Sequence, residues 1–160
     1  MLRVGNACNK QVYQAQALQI CEQRIGVHLM VVTDNEINVY YVSKDYGDVL
    51  KTCGRWEVEF TEYYETQQLC TKAVEKELAE MASHTSKLRY LMNGCGTVCF
   101  YIKPNDIKAQ RKLLKFLIHN NIIPRDEQGM LKNIPFIFEK NSNSDYHFAK
   151  EYHLSDFIKL

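Results

Sequence analysis

Residues 86–139 read SKLRYLMNGCGTVCFYIKPNDIKAQRKLLKFLIHNNIIPRDEQGMLKNIPFIFE. Local signals agree along this whole stretch. Gly94 stops a helix. Residues 97–103 are apolar on both faces for most of their length, which predicts a strand in a central position. Pro104 ends that strand, and Asn105 is placed to cap the next helix by accepting a backbone hydrogen bond. That helix is expected over about 106–120, burying Ile107, Leu114, Leu117 and Ile118. Residues 134–138 predict another strand. Pro135 has no N–H to give a ladder, so the strand starts there or lies at a sheet edge. If the two strands are parallel and share a sheet, the connection between them crosses right-handed.

Upstream of this stretch, Trp56, Val58 and Phe60 alternate with Glu57, Glu59 and Thr61, which predicts a strand with one face in water. Cys70, Val74, Leu78, Met81, Leu88 and Met92 recur at helical spacing, so one long helix is expected over about 66–92. Ser83, His84, Thr85 and Ser86 are poor helix formers within it. Residues 28–33 and 37–42 are rich in β-branched and aromatic residues around a short polar turn, the pattern of a hairpin. Residues 44–55 read as a loop with a short strand near Val49 and Leu50. Leu18, Cys21 and Ile25 mark a first helix over about 7–25, closed by Gly26. At the other end, Ser155 and Asp156 are placed to cap a short turn that carries Phe157 and Ile158 onto the core. The sum is one α+β domain over residues 1–160: a mixed, mostly antiparallel sheet of about five strands packed by two or three helices.

The totals agree. The chain has 160 residues, 46% apolar and 24% charged, ordinary values for one globular domain. No run of residues is long and apolar enough to span a membrane. The first residues lack the apolar core of a leader. Six cysteines without a leader read as reduced thiols in a cytoplasmic protein. The net charge is +1, so no overall field advertises a polyanionic partner. Locally the charge is uneven. Residues 57–80 hold seven Glu against two Lys, and residues 103–125 hold six Lys or Arg against Asp106.

The positive charge concentrates on one helix. Lys108, Arg111, Lys112 and Lys115 stand at i, i+3, i+4 and i+7, so they share a face. With the expected buried set, that face lies about a quarter turn from the apolar stripe and leaves Arg111 nearest the boundary. Such a stripe tracks phosphates or docks an acidic protein patch, including the Glu-rich segment of a second copy. Tyr41 and Tyr64, one from each adjacent tyrosine pair, are expected to point outward as contact residues beside it.

Cys95 lies between Gly94 and Gly96, where the backbone is free to expose a thiol. A nucleophilic cysteine also needs a base, and the spacing selects none of the five histidines. Cys95 and Cys99 on an extended strand sit about 13 Å apart at roughly 3.3 Å per residue, too far for one metal ion. The chain contains no phosphate loop, dinucleotide fingerprint, nucleophile elbow or zinc-protease motif. No cofactor and no metal are implied.

The expectation is a small intracellular, non-enzymatic regulatory or inhibitory protein. It binds another macromolecule, a protein in preference to nucleic acid, through the basic helix face. The alternatives are a nucleic-acid-binding protein and a cysteine-dependent enzyme using Cys95. A homodimer is admissible. The Asn-, Lys- and Ile-rich composition points to an AT-rich source such as a low-GC bacterium or its mobile elements.

Overall fold

The computed structural model describes residues 29–34, 37–43, 46–138 and 151–160. The helix expected over 7–25 lies outside them. The described chain runs β1 (Met30–Asp34), β2 (Asn38–Val42), α1 (Tyr46–Thr52), β3 (Gly54–Phe60), α2 (Tyr63–Glu75), β4 (Met81–Thr85), α3 (Lys87–Asn93), β5 (Gly96–Ile102), α4 (Ile107–His119) and β6 (Phe136–Phe138). A single 3-10 turn follows at Leu154–Asp156.

This is an α+β fold. Six strands form one sheet in the order β1-β2-β4-β5-β3-β6, and every neighbouring pair is antiparallel. The hairpin of β1 and β2 lies where the sequence places it. β5 is interior, as its two apolar faces require, and β6 is an edge strand of three residues that follows Pro135. β5 and β6 do run in the same direction, but β3 is inserted between them. Likewise β3 and β4 run in the same direction with β5 between them. Two interleaved split βαβ units result, β3-α2-β4 and β5-α4-β6, with the strand order of the ferredoxin-like topology. The β1–β2 hairpin extends that sheet beyond β4.

Both long helices cover one sheet face. Trp56, Val58, Phe60, Ala82, Val98, Phe100, Ile102 and Phe136 meet Cys70, Ala73 and Val74 of α2 and Leu113, Leu114 and Leu117 of α4 in one core. On the opposite face Tyr40, Val42, Met81, Cys99 and Tyr101 pack with Val49 and Cys53 at α1. The segment expected as a loop with a short strand near Val49 is therefore the helix α1, which uses Val49 to cover this face.

The long helix expected over 66–92 is two helices with a strand between them. α2 closes in a Schellman motif: the Leu78 N–H donates to Ala73 O at 2.9 Å and the Glu77 N–H to Val74 O at 3.0 Å, with Glu77 at φ 56°. The poor helix formers Ser83, His84 and Thr85 then lie in β4, paired to β2 and β5. α3 begins at Ser86, whose side chain accepts from the Arg89 N–H, and ends at Gly94 at φ 72°.

Candidate functional site

α4 starts at Asp106, not Asn105: the Asp106 carboxylate accepts from the Ala109 N–H at 2.9 Å. Its buried residues are Gln110, Leu113, Leu114 and Leu117. Ile107, expected in the core, is exposed, and Ile118 is only half-buried. Gln110 and Leu113 take the inward places, and Gln110 does so with its polar atoms bonded. Its side-chain oxygen accepts from Trp56 Nε1 at 2.7 Å, and its amide nitrogen donates to Lys103 O at 3.2 Å. A buried polar side chain needs hydrogen-bond partners, and both ends of this amide have one.

This register rotates the helix relative to the sequence reading. The four cations now centre about 160° from the buried stripe at roughly 100° per residue, nearly opposite it. Lys108, Arg111, Lys112 and Lys115 are all exposed. Arg111 is partly engaged, since its Nε donates to Phe157 O at 3.2 Å and so ties the C-terminal segment to the helix. Phe157 in turn packs edge-on against Trp56 at 5.9 Å. None of the four cations forms an ion pair with a described residue.

The two tyrosines separate. Tyr64 is exposed in the first turn of α2 and accepts from Lys87 Nζ at 2.9 Å. Tyr41 is not an exposed contact residue. It is buried on the helix-covered sheet face, with its hydroxyl 3.0 Å from His84 Nε2. Its neighbour Tyr40 is buried on the opposite face beneath α1. Both faces of β2 are covered, so neither tyrosine of that pair points into solvent.

Cys95 is exposed at the turn into β5, and no described residue forms a hydrogen bond with it. His84 is fully engaged elsewhere, with Nε2 on Tyr41 and Nδ1 on Thr85 O at 2.8 Å. Cys99 lies on the α1-side face, its thiol 3.7 Å from Glu57 Oε2. Burial pushes that thiol up to about 12, and the neighbouring carboxylate adds to the rise. A thiol held protonated in this way is not a nucleophile. Glu57 is itself paired with Arg55 Nε at 3.0 Å. Among the described residues no cluster of three His, Cys, Asp or Glu is arranged to hold a metal ion, and no helix is long and apolar enough to cross a membrane.

The acidic segment does not form one surface. Glu57 and Glu59 lie on the α1-side face of β3, whereas Glu62 and Glu65 stand at the start of α2 and Glu77 beyond its end. The sequence reading also missed α3 as a feature. Leu88, Leu91 and Met92 were assigned no role or a core role, and all three are exposed. The i, i+3, i+4 spacing carried that signal once 81–85 is removed from the helix.

Compared with known proteins, the chain matches no family model, no curated protein and no solved structure at a significant level.

Proposed function

We propose that this is a small intracellular regulatory or inhibitory protein without catalytic activity, which binds an acidic surface on a protein partner through the outer face of α4. One observation carries the reading: Lys108, Lys112 and Lys115 project from a helix whose opposite side is locked by Leu113, Leu114 and Leu117, and they meet no described carboxylate. Cations on a rigid element keep their geometry before the partner arrives, which lowers the ordering cost of association. Their contribution falls mainly on encounter rate and on rejection of wrong partners. Arg111 is less available, because its guanidinium already serves Phe157. A net charge of +1 supports a protein partner over nucleic acid, since no broad positive field accompanies the stripe. Cys70 and Cys99 serve as small core residues with free thiols, which supports a reducing compartment.

The test is capture of partners from the source cell with the wild-type chain and with Lys112→Glu plus Lys115→Glu. The double variant is expected to fold normally and to lose a specific protein complex. A complex that survives both reversals removes α4 from the role. Retention of oligonucleotide with affinity falling steeply as salt rises replaces the protein partner with nucleic acid.

A further inference from the structure

The outer face of α4 carries an electrostatic penalty in the free protein. Lys108 and Arg111, Lys108 and Lys112, Arg111 and Lys115, and Lys112 and Lys115 each stand three or four residues apart on the helix. Like charges at that spacing repel. None of the four forms an ion pair with a described residue. The first turn of α4 holds no acidic residue, and Asp106 before it gives its carboxylate to the Ala109 N–H. A set of one sign calls for one kind of occupant, an anion. The net charge of +1 favours the carboxylates of a protein over a nucleic-acid backbone.

Arg111 differs from the three lysines. Its Nε donates to Phe157 O at 3.2 Å, and it makes no other hydrogen bond to a described residue. The carbonyl that receives it is itself fixed. Phe157 is 7% exposed, stands edge-on to Trp56 at 5.9 Å and lies tilted against Tyr152 at 5.8 Å. Its N–H donates to Leu154 O at 3.1 Å, and the buried Leu154 donates in turn to Ile134 O at 2.9 Å. The C-terminal segment thus clamps one edge of the guanidinium. Of the five N–H donors in that rigid plane, one is engaged. Nη1 and Nη2 still present the parallel pair that takes both oxygens of one carboxylate. At about 100° per residue, Lys108 lies one turn before Arg111 on this face and Lys115 one turn after. A lysine is a point charge on a flexible stem and attracts without direction. The tie to Phe157 removes Arg111 from the mobile charges and gives its remaining donors a fixed aim.

We propose that Arg111 is the recognition residue of the α4 face. Clamped by the Phe157 carbonyl, it seats one carboxylate of an acidic protein segment end-on, while Lys108, Lys112 and Lys115 supply attraction. This rests on the reading that α4 binds an acidic partner, and it narrows that reading to the group recognised and the residue that recognises it. The clamp lowers the ordering cost of that one contact.

The experiment is NMR on the full chain, with a hexaglutamate peptide as the probe. Relaxation of the arginine Nε–H groups is measured before peptide is added, and Arg111→Lys assigns the Arg111 signal by removing it. Arg111 Nε is expected to be as rigid as the backbone of α4. Arg89, exposed and without a side-chain hydrogen bond to a described residue, is expected to be mobile. Peptide is then expected to shift the α4 signals of the wild type and of Arg89→Lys alike. Arg111→Lys keeps the charge and is expected to bind at least about fivefold more weakly, as for loss of a hydrogen bond to a charged group, with the salt dependence unchanged. Lys112→Gln is expected to bind more weakly with a shallower salt dependence. A mobile Arg111 Nε overturns the proposal. So does an Arg111→Lys variant that binds as the wild type does; if Lys112→Gln is still weakened, the acidic-partner reading of α4 stands and only the role of Arg111 falls. A wild type that ignores the peptide also overturns the proposal, and the capture of partners then decides the α4 reading separately. Retention of an oligonucleotide in place of the peptide puts phosphate where the carboxylate was assigned and overturns it as well.

Discussion

His84 makes the stability of this fold depend on pH in one direction. It is 1% exposed, and its ring packs against Tyr41, Phe60 and Tyr63. Its two nitrogens have fixed and opposite roles. Thr85 O can only accept, so Nδ1 carries the hydrogen, and Nε2 then accepts from the Tyr41 hydroxyl. The neutral ring is complete. Burial holds its pKa below the usual 6.5, and the hydrogen bond to the Thr85 carbonyl offsets only part of that fall. Above pH 6.5 the imidazole is neutral in both folded and unfolded chains, and the stability it supports is fully present. Below pH 6.5 the unfolded chain binds a proton that the folded chain refuses. Stability then falls with pH, by at most about 1.4 kcal/mol per unit. The loss continues until the pH reaches the depressed folded value and levels off beneath it.

The assay is urea unfolding followed by the fluorescence of Trp56, the only tryptophan, at a series of pH values from neutral to mildly acidic. His84→Gln is the control. Its side-chain oxygen accepts from Tyr41, but the Thr85 carbonyl loses its donor, so the variant is expected to be less stable than wild type at neutral pH by about 1–3 kcal/mol. It carries no titrating ring at this position. The gap between the two proteins should therefore narrow as the pH drops below 6.5. The carboxylates and the other histidines, common to both proteins, cancel in the difference. Parallel pH profiles for wild type and His84→Gln would refute the argument, as would a wild type that gains on the variant when acidified.

Other expectations follow from the packing. Leu114→Ala removes a fully buried side chain between α4 and the sheet and should cost about 2–5 kcal/mol in urea unfolding. Glu77→Gly relieves a left-handed residue at φ 56°. The removed strain exceeds the added freedom of the unfolded chain, so a gain of about 0.5–1 kcal/mol is expected, read as a higher urea midpoint. Gly96→Ala forces a methyl to within 2.7 Å of the Phe60 ring and 2.9 Å of Thr85 Cβ. The expected loss is about 1–3 kcal/mol, seen as a lower melting temperature. Among the described thiols, Cys95 should react with an aromatic disulfide reagent in the native protein, while the buried Cys70 and Cys99 should react only on unfolding.

The sheet was largely legible because its strands announce themselves twice. Trp56, Val58 and Phe60 alternate with polar neighbours, and residues 98–102 are buried without interruption. The failure at 66–92 has a local cause. Among the described residues, two helices end in the same Schellman geometry. At α4 the left-handed position is Asn121, with the Ile122 N–H on Leu117 O at 2.9 Å, and asparagine is a recognised occupant of that position. At α2 the position is Glu77, which gives no such signal. The helix was therefore read through its own end, and the strand behind it was counted as a helix face. Met81 fits either period, and only its partners Val42 and Tyr101 decide between them.

The basic face was legible in its residues but not in its orientation. Ile107 looks apolar and Gln110 looks polar, so a pattern reading places the first inside and the second out. The indole of Trp56 reverses that choice. A buried Nε1–H left without an acceptor would cost about 1–3 kcal/mol, and Gln110 is the residue of α4 that meets it. That hydrogen bond, between residues 54 positions apart, places Gln110 on the face that Leu113, Leu114 and Leu117 bury. Leu113, an apolar residue omitted from the expected buried set, shares that face, and Lys108, Lys112 and Lys115 stand on the side farthest from the core. Pattern reading places each side chain by its own polarity. It cannot register that a core tryptophan in β3 brings its own polar partner with it, and so the inward place of Gln110 rests on a residue outside the helix.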